Sequence, residues 1–220
     1  IIGGRASLYL PENRFKVDPG GVVVIPLTIF NQGSVVDHFR ITLDGFPPSW
    51  FQGQPPEVQL MPGARQDLSL SIQPPLSPRS RAGDYPLVLR AASQATPQDA
   101  AEAKIQLTVS GYTRFTSDLH PQRIRAGAAA RLTVQNQGNR PVIFNLAYRD
   151  RAEEVTFTPP ATQITVPEGQ SGSTEFTARP RQEKWIGAER VLPYSVQVSA
   201  ETGETQSHSG EVVARPRLPA

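Results

Sequence analysis

The chain contains one pattern twice. Near its start it reads Gly20-Gly21-Val22-Val23-Val24-Ile25-Pro26-Leu27-Thr28-Ile29-Phe30-Asn31-Gln32-Gly33. Further on it reads Ala126-Gly127-Ala128-Ala129-Ala130-Arg131-Leu132-Thr133-Val134-Gln135-Asn136-Gln137-Gly138. Pro62-Gly63 is answered by Glu168-Gly169, and Tyr85-Pro86-Leu87 by Leu192-Pro193-Tyr194, all at an offset of roughly 105 positions. A period of that length is one small domain, too long for a solenoid repeat. The duplication divides the chain at residues 1–110 and 111–220, with the join at Ser110-Gly111-Tyr112.

Within each half the apolar residues alternate with period two, the mark of strands that bury one face. In the first half Val23, Ile25, Leu27 and Ile29 face one way and Val24, Pro26, Thr28 and Phe30 the other. Phe39-Ile41-Leu43, Leu68-Leu70-Ile72, Tyr85-Leu87-Leu89 and Ile105-Leu107-Val109 follow the same rule. The second half repeats it at Leu132-Val134, Phe144-Leu146-Tyr148, Ile164-Val166, Phe176-Ala178, Val196-Val198 and Val212. No window carries an i, i+3, i+4 stripe between caps. Short strands separated by turn signals predict an all-β chain of two tandem immunoglobulin-like antiparallel β-sandwiches. The Asn-Gln-Gly triplets read as turns, with the Asn side chain bonded back to the turn backbone and Gly33 or Gly138 at positive φ. Tyr85 opens the penultimate strand of its half, the place of a tyrosine corner, whereas Leu192 stands there in the second half.

Composition excludes several functions. There is no Cys, which removes disulfides, thiol catalysis and Cys-based metal sites. The net charge is only +2, without the clustered basic face of a nucleic-acid binder. No apolar run is long enough to span a membrane, so direct insertion is not expected. The missing initiator Met suggests a processed chain or a piece of a longer one.

Little chemistry can be assembled from the rest. His38, His120 and His208 lack metal-ligand spacing and are expected to be exposed surface residues. Glu153 and Glu154 would point to opposite faces of an extended chain and are expected in a solvated loop. No phosphate-binding glycine pattern occurs. The start Ile1-Ile2-Gly3-Gly4 matches mature trypsin-like proteases, but no Gly-Asp-Ser-Gly segment accompanies it. We therefore expect no catalytic residues, no cofactor and no metal. The strongest candidates for partner binding are Trp185, Arg181 and Lys184, in a long connection that also carries Arg179 and Arg190. An aromatic among cations is the composition of an interface hot spot. Arg79 and Arg81 occupy the matching connection of the first half, Pro74 to Asp84.

The segments Leu27-Thr28-Ile29-Phe30-Asn31-Gln32-Gly33, Gly45-Phe46-Pro47-Pro48-Ser49-Trp50 and Leu60-Met61-Pro62-Gly63 resemble the bacterial and archaeal Ig-like domains called NPCBM-associated or alpha-galactosidase-associated domains. The second half keeps the two turns but has Val155-Thr156-Phe157-Thr158-Pro159-Pro160 in place of the Pro-Pro-Ser-Trp segment. The resemblance implies non-catalytic tandem sandwiches in surface-associated proteins, serving as spacers or adhesive modules.

The expected function is thus a structural or protein-interaction module, a spacer or filament subunit of a bacterial surface assembly. It would bind a protein partner or itself, at the cell surface or outside the cell, with a cytoplasmic location left open. The apolar start, Ile1-Ile2 and Leu8-Tyr9-Leu10, could add a strand to a neighbour's sheet. The alternative is a carbohydrate-binding accessory module of a glycoside hydrolase, with Trp50, Trp185 and Phe30 as its sugar platform.

Overall fold

The computed structural model describes residues 2–159 and 161–219, and its contacts divide into two units, 1–111 and 112–220. Each unit is a β-sandwich with its own apolar interior.

Unit 1 runs β1 (Ile2–Gly3), β2 (Ala6–Tyr9), β3 (Arg14–Val17), β4 (Val23–Asn31), β5 (Asp37–Asp44), β6 (Glu57–Leu60), β7 (Arg65–Ile72), β8 (Gly83–Ser93) and β9 (Ala100–Val109). One sheet has the order β1-β2-β4-β7 and the facing sheet β3-β9-β8-β5-β6. Neighbouring strands are antiparallel except β3, which lies parallel to β9. Strand β4 shows why these residues form this layer: Ile25, Leu27 and Ile29 are buried, while Val24, Pro26 and Phe30 face outward.

Unit 2 runs β10 (Phe115–His120), β11 (Arg123–Arg125), β12 (Ala129–Asn136), β13 (Val142–Arg149), β14 (Val155–Thr158), β15 (Gln163–Val166), β16 (Ser171–Pro180), β17 (Ile186–Gly187), β18 (Arg190–Ala200), β19 (Thr205–Ala214) and β20 (Leu218–Pro219). Its sheets are β10-β12-β16-β14 and β11-β19-β18-β13-β15, with a short parallel pair β17-β20. Strand β11 lies parallel to β19, as β3 does to β9. The chain is therefore all-β, two tandem immunoglobulin-like sandwiches.

The repeated triplets occupy one pole of each sandwich. Asn31 and Asn136 are completely buried at the ends of β4 and β12. Asn31 Nδ2 donates to Val35 O and Leu60 O, both at 2.9 Å. Asn31 Oδ1 accepts from Gly33 N–H at 2.9 Å. Asn136 repeats the set: Nδ2 donates to Arg140 O at 2.8 Å and Val166 O at 2.9 Å, and Oδ1 accepts from Gly138 N–H at 2.9 Å. The second repeated mark meets the first, since Gly63 N–H donates to Asn31 O and Gly169 N–H to Asn136 O, both at 2.9 Å.

The glycines divide their work differently from the sequence expectation. Gly63 and Gly169 hold the positive φ, at 75° and 69°, whereas Gly33 and Gly138 do not. The latter two are glycine because of close approach: a Cβ on Gly138 would stand 2.6 Å from Tyr112 O, and one on Gly33 3.0 Å from Asn31 Oδ1.

The aromatic interiors differ. In unit 1, Trp50 ends a single 3-10 turn (Pro48–Trp50) and packs edge-on against Tyr85, ring centroids 5.3 Å apart. Tyr85 Oη donates to Arg81 O at 2.8 Å, which makes it a tyrosine corner. In unit 2 that place is filled by Tyr148, Phe157, Phe176 and Tyr194. Tyr194 is 4% exposed and its hydroxyl finds no partner among the described residues.

Two predictions follow from this packing. Asn31→Ala should destabilise unit 1, and Asn136→Ala unit 2, by about 2–4 kcal/mol, because each strands three backbone groups; the two transitions in urea unfolding report each unit. Burial pushes the Tyr194 hydroxyl from 10.0 up to about 12. The unfolded chain releases that proton first, so the contribution is intact below pH 10 and is lost as pH rises through about 12. Tyr194→Phe should remove this alkaline loss and, by deleting an unsatisfied buried hydroxyl, hold or raise the unit 2 midpoint at neutral pH.

Candidate functional site

Trp50 and Trp185 have opposite settings. Trp50 is 3% exposed in the core of unit 1 and offers no platform to a ligand. Trp185 is 65% exposed, on the connection between β16 and β18. That connection is held by its own cations. Arg181 Nε donates to Val155 O at 3.4 Å, and Arg181 N–H to Glu154 O at 2.7 Å. Arg190 lies 3.6 Å from Glu154 and donates to Gln182 O at 3.1 Å. Arg181 and Arg190 therefore brace the loop. Lys184 is exposed and makes no ion pair among the described residues.

Residues missed by sequence reasoning complete the feature. The segment 215–219 turns back on the loop through the parallel pair β17-β20, with Leu218 N–H donating to Trp185 O at 2.9 Å. Arg217 places its guanidinium carbon 4.7 Å from the Trp185 ring centroid and donates to Glu183 at 3.1 Å. Arg215 pairs with Glu189 at 2.8 Å. Ile186 and Leu218, opposite each other in the pair, are 66% and 58% exposed. Trp185 with Arg217 against its ring, and the exposed pair Ile186–Leu218, thus project from this short ribbon as a knob that also carries Lys184 and Glu183. A two-residue parallel pairing leaves no periodic trace in sequence. The Pro-containing run Arg215-Pro216-Arg217 is thereby docked on the loop.

Arg79 and Arg81 lie in unit 1, in a turn held by Ser80, whose Oγ donates to Pro75 O at 2.6 Å. Both side chains are exposed, and Arg81 supplies the carbonyl of the tyrosine corner. Arg181, Lys184 and Trp185 share one connection of unit 2, and Arg79 with Arg81 one connection of unit 1.

His38 and His120 are exposed, as expected, but His208 is half-buried in β19. His208 Nε2 lies 2.7 Å from Ser117 Oγ, which donates to Gln206 Oε1 at 2.5 Å. With the hydroxyl proton directed to Gln206, the imidazole must donate to Ser117, the reverse of a general base. Strands β10 and β19 belong to different sheets, so the contact fastens the sandwich edge. Among the described residues no group of three or more His, Asp or Glu could hold a metal. Glu153 and Glu154 sit in an exposed turn, Glu153 at φ 54°.

The N-terminal segment is not spare either. Residues 6–9 already pair with β4, and Leu8 is buried, so they are not free to complete another chain's sheet; Ile1 lies outside the described residues. Phe30 is half-exposed and shares a shallow outer depression with Tyr9, Arg65 and Asp67.

No family model and no curated protein matches the chain. Solved structures similar to it include a protein of unknown function from Porphyromonas gingivalis (15% identity, 96% of this chain and 100% of that one, TM-score 0.35). The CupB2 chaperone of Pseudomonas aeruginosa is 11% identical over 93% of this chain and 100% of its own, with a TM-score of 0.32. A PapD-like domain of human CEP192 is 15% identical over 49% of this chain and 85% of its own, with a TM-score of 0.33. Likeness at this level says nothing about what the chain does.

The two tryptophans give a direct check. Acrylamide should quench a red-shifted component that Trp185→Phe removes, leaving the blue-shifted, protected emission of Trp50. Equal quenching before and after the change would contradict the exposure of Trp185.

Proposed function

We propose that the chain is a non-catalytic protein-interaction module, a tandem Ig-like spacer of a bacterial surface assembly that docks a protein partner on the Trp185 knob. One observation carries the reading: Trp185 is 65% exposed on a braced loop with Arg217 against its ring, and its chain neighbour Ile186 and Leu218 opposite it are exposed as well. A large aromatic held in place by a guanidinium, with polar residues around it, is the anatomy of an interface hot spot. The proposal includes membership of the NPCBM-associated group, supported by the Gly45–Trp50 segment and the Pro62-Gly63 turn. Location at the cell surface belongs to the same proposal. Among the described residues no helix is long and apolar enough to cross a membrane. The alternative, a carbohydrate-binding accessory module of a glycoside hydrolase, has lost Trp50 to the core and retains Trp185 and, beside Tyr9, Phe30.

A photo-crosslinking residue placed at 185 in the native host should yield one dominant covalent protein adduct, identified by mass spectrometry. The same residue at Thr202, an exposed turn between β18 and β19, should not. The purified partner should bind the wild-type chain and lose about ten-fold or more in affinity to Trp185→Ala. Crosslinking at 185 no different from 202 would overturn the proposal.

A further inference from the structure

The outer face of the larger sheet of unit 2 holds a trough of about 620 Å³. Its floor is made by small side chains across three adjoining strands. Arg149 of β13 lies opposite Ser195 of β18, which lies opposite Ser209 of β19. The next row is Ala147, Gln197 and Ser207. The loop after β13 walls one side and brings Arg151 beside Arg149.

The duplication supplies an internal control. By register the same rows in unit 1 are Asp44–Val88–Lys104 and Thr42–Arg90–Glu102, with Arg90 and Glu102 in a 3.8 Å ion pair. Unit 1 fills this face with a branched apolar residue and a charge pair. Unit 2 has Ser, Gln and Ser there, and the trough is the volume those side chains vacate.

Two guanidinium groups, of Arg149 and Arg151, stand against one carboxylate, of Asp150, in its lining. The carboxylate of Asp150 is committed to backbone, accepting from Ala152 N–H at 3.0 Å, Glu154 N–H at 2.5 Å and Val155 N–H at 2.7 Å. Glu154 is held by Arg190 and Glu211 by Arg123. The guanidinium groups of Arg149 and Arg151 have no carboxylate partner among the described residues, unlike those of Arg123, Arg131, Arg190, Arg215 and Arg217.

We propose that this trough binds an acidic saccharide, a sugar chain carrying carboxylate or sulfate groups. The arginines take the anion in charge-assisted hydrogen bonds, and the Ser hydroxyls and the Gln197 amide take the sugar hydroxyls. A peptide captured by strand addition hydrogen-bonds along a sheet edge, whereas the trough opens on the sheet face over β18, which is paired with β13 on one side and β19 on the other. A neutral sugar wants an exposed aromatic face, and Tyr194 below the floor is turned inward onto Phe157 and Phe176. The site goes beyond the protein-docking reading of the Trp185 knob and stands without it.

The test is calorimetric titration of the full chain with oligogalacturonate, sulfated dextran, unmodified dextran and polyglutamate. At least one anionic saccharide should bind, and which of the two does so distinguishes carboxylate from sulfate; unmodified dextran should not. Arg149→Ala with Arg151→Ala should weaken binding about ten-fold or more. Ser195→Val with Ser207→Glu, the residues unit 1 has at these places, should abolish it while keeping both arginines. All four positions face solvent, and unchanged urea midpoints would show that the fold is kept. Failure of both anionic saccharides to bind, or binding indifferent to both double variants, would overturn the site. So would polyglutamate binding as tightly with the same sensitivity, which would show an acidic polypeptide as the ligand.

Discussion

A single buried asparagine closes one pole of each sandwich. Asn31 ends a strand of one sheet, and its amide reaches the carbonyl of Leu60, the last residue of a strand in the other. Its own backbone meets the Gly63 turn, and the N–H of the next residue, Gln32, donates to Arg5 O in the turn between β1 and β2. A carboxamide is the only neutral side-chain group that offers two donors and an acceptor at such a junction. An aspartate would bring an uncompensated charge and a leucine would leave three backbone groups without partners, each costing about 1–3 kcal/mol. That explains why Asn-Gln-Gly and the Gly63 and Gly169 turns are the marks that remain readable in both copies. They are two sides of one hydrogen-bonded joint, while the sequence between them has diverged.

The fold was largely legible because burial on one face writes period two directly into the chain. Strands β4, β5, β7, β8 and β9, and their counterparts in unit 2, stand where the alternation places them. The short edge segments escaped notice. Strands β3 and β11 have three or four residues each, too few for a period to emerge, and β14 lies where the sequence shows only the replacement of a Pro-Pro-Ser-Trp segment. The site was half legible. Trp185 stood out by residue type, but Arg181 among its neighbours serves the loop itself, and the apolar partners Ile186 and Leu218 come together only through a contact distant in sequence. The trough was invisible for a different reason: a cavity made of missing side-chain volume has no motif, and only the register between the copies exposes it.

The copies also show how buried polar groups are exchanged. In unit 1 Asp37 is buried, accepting from Ser93 Oγ at 2.6 Å and lying 3.5 Å from Arg5. By register Val142 and Ala200 occupy these places in unit 2. Donor and acceptor have gone together, which costs little, whereas removing either alone would strand the other. The aromatic interior was rearranged in the same concerted way. Trp50 and the Tyr85 corner are matched by a ring cluster around Phe176, and two hydroxyls, on Tyr148 and Tyr194, have no partner among the described residues.

The parallel pairing of each unit's early strand with its last strand has a mechanical consequence. Strand β3 runs alongside β9, and β11 alongside β19, in the same direction. Tension applied through the two ends of a unit would slide these strands lengthwise past each other. Their cross-strand bonds would then bear the load in shear and rupture together, whereas a hairpin pulled open from its ends yields one bond at a time. Such a clamp lets a small sandwich without a disulfide resist extension.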